Sequence, residues 1–173
     1  SFFYAVKTIE DKRYLKDKLF QDKVKNSILI DNLKIDDYDF VFISGGWGAA
    51  YDLGYSEILG EKISQAYYSE KTIIGAVCHG VLGFIKAKDS LGKLIIKNRR
   101  MTGVTNKQIK ELGIDFTPQH PEDELIKAGA IFESKTAFRD AFADLTITDD
   151  NAKFVTGQNQ NAGHETPQKM MEI

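Results

Sequence analysis

Residues 72–83 read TIIGAVCHGVLG, and this stretch determines the fold that the sequence predicts. An apolar run of strand length leads directly into Cys-His-Gly, and residues compatible with a helix continue to about Ala87. Ala76 and Gly80, two residues before and two after Cys78, are small, as a sharp strand-to-helix turn requires. The pattern is that of a nucleophile elbow, which raises one side chain above the carboxyl edge of a sheet. It predicts a nucleophilic Cys78.

The predicted elbow also bears on the ionisation of the thiol. A sulfur at the amino end of a helix faces free N–H groups and the positive end of the helix dipole, which favour thiolate over thiol. The backbone N–H of His79 is then aimed at any oxyanion that forms on a substrate. The alternative is structural, because a single cysteine is often a small buried apolar residue.

A second glycine-rich turn follows another apolar run. Phe40–Ile43 has the continuous apolar character of a strand buried on both faces of a parallel sheet, and SGGWGA comes directly after it. Glycines after a strand let backbone N–H groups approach a ligand, although a plain tight turn explains the same residues. Because parallel strands end at one edge of a sheet, we expect Gly46, Trp47 and Gly48 to lie beside the Cys-His-Gly turn. The two turns would form the halves of one oxyanion site.

The rest of the chain alternates between strand and helix patterns. We predict helices over 8–25, 56–69, 105–112, 122–128 and in the tail from residue 160, and strands over 101–104, 130–133, 145–148 and 154–156. Such alternation is typical of βαβ units and predicts an α/β fold with a mostly parallel central sheet. At 173 residues the chain fits a single domain, 1–173.

Composition excludes several classes of partner. A formal net charge of −2 gives no electrostatic reason to expect nucleic acid. No apolar run approaches the roughly 20 residues of a membrane span, and the first residues do not resemble a signal peptide. One cysteine permits no intrachain disulfide and suits a reducing compartment, so we expect a cytoplasmic protein without nucleic-acid or membrane partners.

Four segments together resemble the ThiJ/PfpI superfamily, which has the class I glutamine-amidotransferase-like fold. They are ISGGWGAAYDL at 43–53, VCHGVLG at 77–83, MTGV at 101–104 and VTGQN at 155–159. The heat-shock chaperone and glyoxalase III branch carries GGxG and CHG in the same register. The resemblance implies a flavodoxin-like three-layer sandwich, with Cys78 as the nucleophile and His79 as its catalytic or positioning partner. It also implies oxyanion donors at the amides of Gly46 and His79, and a place for Trp47 near the substrate.

Two departures from that branch concern the site. The acidic member of the triad lies seven residues after the Thr of the Thr-Gly strand, and the same count from Thr102 reaches Ile109. Its neighbours Gln108 and Glu111 are not established substitutes. The family also opens with a strand and a helix that bears a glutamate contacting the cysteine, and Ser1 begins after both. We therefore expect either that the strand and helix are missing or that a strand is supplied in some other way, and we assign no residue to the glutamate.

The resemblance implies an enzyme that acts on a small carbonyl compound without a cofactor or a metal. The Cys78 thiolate would add to a dicarbonyl such as methylglyoxal, His79 would transfer protons, and the product would be a hydroxy acid. A deglycase-like activity is a variant of the same hypothesis of a cysteine-dependent enzyme that acts on reactive carbonyls. An amidase or peptidase with the same nucleophile is the enzymatic alternative. The other alternative is a stress chaperone or redox sensor, which Ile109 favours. Family members are commonly homodimers, but no pattern locates an interface.

Other candidate residues have weaker patterns. His120 lies in TPQHP at 117–121, and the two prolines favour a rigid loop from which it is either structural or an alternative base. His164 is interpreted as a surface residue. A metal site built on His79, His120 and carboxylates has no supporting spacing, so none is predicted. The aromatic residues in 2–4 and 138–142 are expected to pack in a core or an interface.

Overall fold

The computed structural model describes residues 9–114 and 116–173, with side chains from Lys12 onward. The described chain falls into two compact units, one up to Leu33 and one from Lys34. In the first unit, α1 (Ile9–Tyr14) and α2 (Lys18–Lys25) replace the single helix predicted over 8–25. The division follows from Asp17, whose carboxylate accepts a hydrogen bond from the N–H of Phe20 and so begins a new helix. The single domain 1–173 stays a prediction.

The described part of the second unit contains short strands in two sheets. They are β1 (Phe40–Ile43), β2 (Ile73–Val77), β3 (Arg100–Met101), β4 (Ile131–Phe132), β5 (Thr146–Thr148) and β6 (Phe154–Gly157). Its α-helices are α3 (Ala49–Asp52), α4 (Glu57–Tyr68), α5 (Asn106–Glu111), α6 (Pro121–Lys127) and α7 (Glu165–Met171). Single turns of 3₁₀ helix occur in the first unit at Ile30–Asn32 and in the second at Ile35–Asp37, Leu53–Tyr55, Asp140–Phe142 and Gln160–Gly163. A longer 3₁₀ helix covers Cys78–Phe84.

The main sheet has the strand order β1-β2-β6-β5. β1, β2 and β6 are parallel, and β5 joins β6 as an antiparallel neighbour. Ile43 pairs with Ala76, so β1 and β2 end at the same edge and the two glycine-rich turns leave it side by side. β3 and β4 form a separate parallel pair. The α/β fold with a mostly parallel sheet is confirmed.

Helices pack on both sides of β2 because its side chains alternate between the two faces. A Cβ added to Gly75 would overlap the sulfur of Met170 on α7, so this helix lies directly against the strand. Ile74 and Ala76 point to the opposite face and are fully buried. The carboxyl end of β2 is thus enclosed by packing.

Several predicted elements differ from those observed. The segment after Cys78 is the 3₁₀ helix Cys78–Phe84 and not an α-helix that reaches Ala87. Phe40 and Phe42 are 45% and 39% exposed, so the prediction that β1 is buried on both faces is wrong. β1 is an edge strand of the described sheet, and the face that carries Phe40 and Phe42 is less covered than the face that carries Val41 and Ile43.

The aromatic residues of the 138–142 segment are exposed. Phe138 is 95% exposed and Phe142 is 76% exposed, so neither lies in the core of the chain. The aromatic residues at 2–4 lie outside the described residues. Within the ranges that the structure describes, no helix has both the length and the apolar character needed to cross a membrane.

Candidate functional site at the Cys78 elbow

Cys78 lies at the turn that the sequence predicts. Its φ of +57° is in the left-handed region, which costs an L-residue roughly 1–2 kcal/mol. A Cβ on Gly80 would overlap the carbonyl oxygen of Ile43, and a Cβ on Gly45 would lie 2.9 Å from the Cβ of Cys78. The backbones of the two turns therefore meet at a distance that only glycine permits. Gly45 was not among the predicted site residues, although it stands beside Gly46 in the same motif.

The sulfur of Cys78 receives two backbone hydrogen bonds, from the N–H groups of His79 and Gly46. These are the two amides that the resemblance implies as oxyanion donors. Burial has the larger effect on ionisation and raises the pKa of the thiol above its ordinary value, although both amides lower it. The expected low thiol pKa is therefore wrong for the protein without substrate.

The imidazole of His79 lies against the sulfur of Cys78 through one of its two ring nitrogens. Its Nδ1 is 3.4 Å from the Sγ of Cys78, and the residue is 5% exposed. Its Nε2 is buried without a hydrogen-bond partner among the residues that the structure describes. Burial, with a smaller contribution from the charge of His120, lowers the pKa of His79 to about 4. The imidazole is therefore neutral near physiological pH.

The position that the resemblance reserves for an acid contains Ile109, which is 2% exposed in α5. Glu111 is engaged elsewhere, because its Oε2 accepts from the N–H of Asp140 and its Oε1 pairs with Lys107. Gln108 is buried, and its Oε1 has no partner in the described part of the chain. No carboxylate thus orients His79 among the described residues at this position.

The three predicted residues of the first turn differ in their surroundings. Gly46 has a φ of +118°, which favours glycine and turns its N–H toward the sulfur. Trp47 is 40% exposed at the mouth of the turn. Gly48 precedes α3, and a Cβ there would meet nothing within 4 Å. Their roles toward a substrate stay predictions.

The other two histidines lie in different settings. His120 precedes α6 beside the elbow, and its Nδ1 is 3.0 Å from the Oδ1 of Asn106. His164 is exposed at the start of α7, as expected. In the described ranges no three His, Cys, Asp or Glu side chains are grouped so that they could hold a metal ion.

A cavity of about 480 Å³ lies away from Cys78, at the amino end of β6. Tyr67, Arg99 and Asp149 line it. Arg99 binds Asp149 and stacks over Tyr67, so these polar groups are already satisfied within the protein. The cavity offers no group that the Cys78 chemistry needs.

A strained cysteine elbow at the carboxyl edge of a parallel sheet, with amide donors from the next strand's turn, defines a class of α/β proteins. The chain belongs to the DJ-1/PfpI family, whose model matches residues 4–172. The resemblance to the ThiJ/PfpI superfamily is thereby confirmed.

Individual relatives indicate the branch of the family to which the chain is most similar. It is 30% identical over 148 residues to a putative glutathione-independent glyoxalase of Schizosaccharomyces pombe, an alignment that covers 81% of this chain and 56% of the relative. The chain thus spans little more than half the length of that relative. Among solved structures, the Rapid Encystment Protein 24 KDa of Francisella tularensis has a TM-score of 0.87 at 28% identity, covering 98% of this chain and 72% of that one. Glyoxalase III from Candida albicans has a TM-score of 0.80 at 25% identity, covering 94% and 69%. These neighbours confirm the flavodoxin-like sandwich and the glyoxalase III branch.

Proposed function

We propose that the chain carries the active site of an enzyme that converts small 2-oxoaldehydes, such as methylglyoxal, to 2-hydroxy acids through Cys78. The observation that carries the proposal is the pair of amides, from Gly46 and His79, directed at the cysteine sulfur. An oxygen anion that forms beside this sulfur would find the same donors. The names of the relatives from Schizosaccharomyces pombe and Candida albicans support this choice of substrate.

The reaction needs no redox cofactor. The sulfur bonds to the aldehyde carbon and its oxygen gains a proton, which makes a hemithioacetal. A base removes the C–H proton of that carbon, and a proton is added to the neighbouring carbonyl carbon, so one carbon is oxidised as the other is reduced. Water then cleaves the resulting thioester to a 2-hydroxy acid and the free thiol. Methylglyoxal and water give lactate, and all atoms balance.

The amides act where charge develops. Negative charge appears on the substrate oxygen when the C–S bond forms and again in the enediolate. Donors fixed by glycine turns need no rearrangement to stabilise it. The raised pKa of Cys78 leaves most of the thiol protonated in the free protein, so the proton must leave as the C–S bond forms. The Nδ1 of His79, 3.4 Å from the sulfur, can accept this proton.

The loss of methylglyoxal in the presence of wild-type protein and Cys78→Ser tests the proposal. We expect the variant to be at least about 100-fold slower, because a serine hydroxyl ionises far less readily than a thiol. Ser90→Ala, on the exposed surface, is the control for substitution itself. Equal rates for wild type and Cys78→Ser would remove the proposal.

A chaperone function is the second candidate, and the exposed rings of Phe138 and Phe142 favour it. Exposed apolar side chains of this size can bind unfolded clients. A Phe138→Ser/Phe142→Ser double variant would then lose its ability to suppress client aggregation, whereas Cys78→Ser would keep it. Suppression that is equal in all three proteins, or absent from wild type, would contradict this candidate. Amide hydrolysis and cytoplasmic location stay predictions.

A further inference from the structure

Two helices begin beside the Cys78 turn, and their first residues are hydrogen-bonded to each other. The backbone N–H of Asn106, the first residue of α5, donates to the Oε2 of Glu122 at 2.7 Å. The side-chain amide of Asn106 donates through Nδ2 to the Oδ1 of Asp123, also at 2.7 Å. Both carboxylates belong to the first turn of α6. The orientation of the Asn106 amide is therefore set, because a carboxylate can only accept.

This orientation determines the protonation pattern of His120. With Nδ2 directed at Asp123, the Oδ1 of Asn106 faces the imidazole, 3.0 Å from its Nδ1. An amide oxygen cannot donate, so Nδ1 must carry the proton. In the neutral ring Nε2 is then left as the unprotonated acceptor. The hydrogen bonds that connect Asp123, Asn106 and His120 thus select one tautomer of the His120 ring.

His120 is close to the cysteine site. A Cβ added to Gly103 would lie 3.3 Å from the carbonyl oxygen of Cys78 and 3.4 Å from the Cβ of Pro121. Pro121, the residue after His120, and the carbonyl of Cys78 therefore both lie close to Gly103. The charge of His120 also acts on His79 and disfavours a second proton there. His120 is half-buried, so part of the residue remains accessible to solvent.

His79 alone is poorly equipped to carry a proton through the reaction. A protonated His79 would need a partner at Nε2, and none lies there in the described chain. Ile109 stands at the position of the acid, and burial disfavours the charged ring. His120 differs in both respects, because it is half-buried and Asn106 supports its Nδ1.

We propose that His120 is a catalytic base of the Cys78 site and that Asn106 is the residue that positions it. The proposal rests on the proposed function for the identity of the substrate. The Nε2 of His120 takes the C–H proton of the hemithioacetal and returns it to the neighbouring carbon, so the proton count is unchanged. A connected amide and carboxylate in the first turns of α5 and α6 thereby take over the orienting role of the missing acid.

The tautomer is tested without any substrate. Long-range proton–nitrogen NMR spectra of protein labelled with nitrogen-15 histidine distinguish a ring protonated on Nδ1 from one protonated on Nε2. We expect His120 to carry its proton on Nδ1 in the wild type and to lose this preference in Asn106→Ala. A wild-type ring protonated on Nε2 would overturn the proposal, whatever the activity of the protein.

Exchange of two side chains tests the positioning role. In Asn106→Asp/Asp123→Asn, the new carboxylate at position 106 accepts from both the His120 Nδ1–H and the new amide at 123. We expect Asn106→Ala to lower kcat about tenfold or more with little change in KM, and the double exchange to restore it. Asn151→Ala, an exposed turn residue, is the matched control. A double exchange that stays as slow as Asn106→Ala, with a folded spectrum, would contradict the role of Asn106.

Removal of the base itself completes the test. His120→Ala should lower kcat about 100-fold, whereas His164→Ala, at an exposed site, should leave it unchanged.

If wild type does not turn over methylglyoxal, the proposed function fails, and the rate of Cys78 alkylation by iodoacetamide becomes the readout for His120. Slower alkylation in His120→Ala than in His164→Ala then supports a basic His120 beside the thiol, and equal alkylation overturns it. Turnover by His120→Ala at the wild-type rate overturns the base while leaving the proposed function intact.

Discussion

The position of the Cys78 sulfur depends on close backbone packing around this residue. Its left-handed conformation is maintained because Gly80 and Gly45 let the two turns approach closely. The strain of roughly 1–2 kcal/mol is small beside the packing around β2, so the elbow persists. The small residues around Cys78 are therefore steric conditions for placing the sulfur beside two amides.

Gly80→Ala should be strongly destabilising. Its Cβ would overlap the carbonyl oxygen of Ile43, so one of the two turns must move. We expect a loss of about 2–3 kcal/mol in the free energy of unfolding, measured by urea denaturation. Gly163→Ala is the matched control, because its Cβ would meet nothing within 4 Å. Equal stability of the two variants would show that the turns are not in close contact.

His79 should make stability depend on pH. Burial, and to a lesser extent the charge of His120, lowers the pKa of His79 from 6.5 to about 4, so between these values the unfolded chain binds more protons than the folded one. Stability is therefore fully present above pH 6.5 and is lost as the pH falls toward 4, by roughly 2–3 kcal/mol. The pH dependence of urea unfolding should be shallower in His79→Gln than in wild type. His164→Gln should keep the wild-type slope, and identical slopes for all three proteins would contradict the burial of a neutral His79.

At the scale of elements, a buried carboxylate joins α5 to the segment that exposes Phe138 and Phe142. Asp140 is 2% exposed. Burial raises its pKa, but hydrogen bonds from Lys107, Thr105 and Thr136 outweigh this and hold the pKa at about 2. Thr105 also caps α5, so the same network that orders the segment sets the start of the helix that contains Asn106.

Asp140→Ala should loosen this connection. The substitution removes the common partner of Lys107 and two hydroxyls. Because Lys107 is partly exposed and keeps Glu111, we expect a loss of about 1–2 kcal/mol in unfolding free energy, mainly from the lost hydrogen bonds. Asp150→Ala is the control, because the side chain of Asp150 is 69% exposed. It should change the free energy of unfolding by less than about 0.5 kcal/mol. Hydrogen exchange should also accelerate in α5 in the first variant alone. Stability equal to that of the control would mean that the network contributes little.

The element predictions differ in reliability for a physical reason. β1, β2, α4, α5, α6 and the hairpin of β5 and β6 appear close to their predicted positions, because each has a local apolar period and a local cap or turn. The strand predicted over 101–104 shrinks to Arg100–Met101, since among the described residues its ladder partner is the two-residue strand β4. The segment after Cys78 becomes 3₁₀ because its packing against β1 and α4 outweighs its local preference.

For the whole molecule, the exposed rings of Phe138 and Phe142 bear on assembly. Large apolar side chains on a surface commonly mark an interface. As the alternative to client binding by the same rings, we predict a homodimer that buries them, so sedimentation velocity should show the dimer in wild type. A Phe138→Ser/Phe142→Ser variant should sediment as a monomer, and Phe116→Ser, another exposed ring, should not change the dimer. A wild-type monomer at all concentrations would contradict this prediction.

The sequence by itself determined the features that depend on residues near one another along the chain. The elbow requires small residues two positions from Cys78, and parallel strands bring their glycine-rich ends to one edge, so Cys78, His79 and Gly46 could be placed together without coordinates. The tertiary structure alone decided the direction of the thiol pKa, the unpartnered Nε2 of His79 and the tautomer of His120. These depend on burial and on hydrogen bonds between groups far apart in sequence, such as Asn106 and His120. A pattern of neighbouring residues therefore does not determine how deeply a group is buried or which distant group it bonds to.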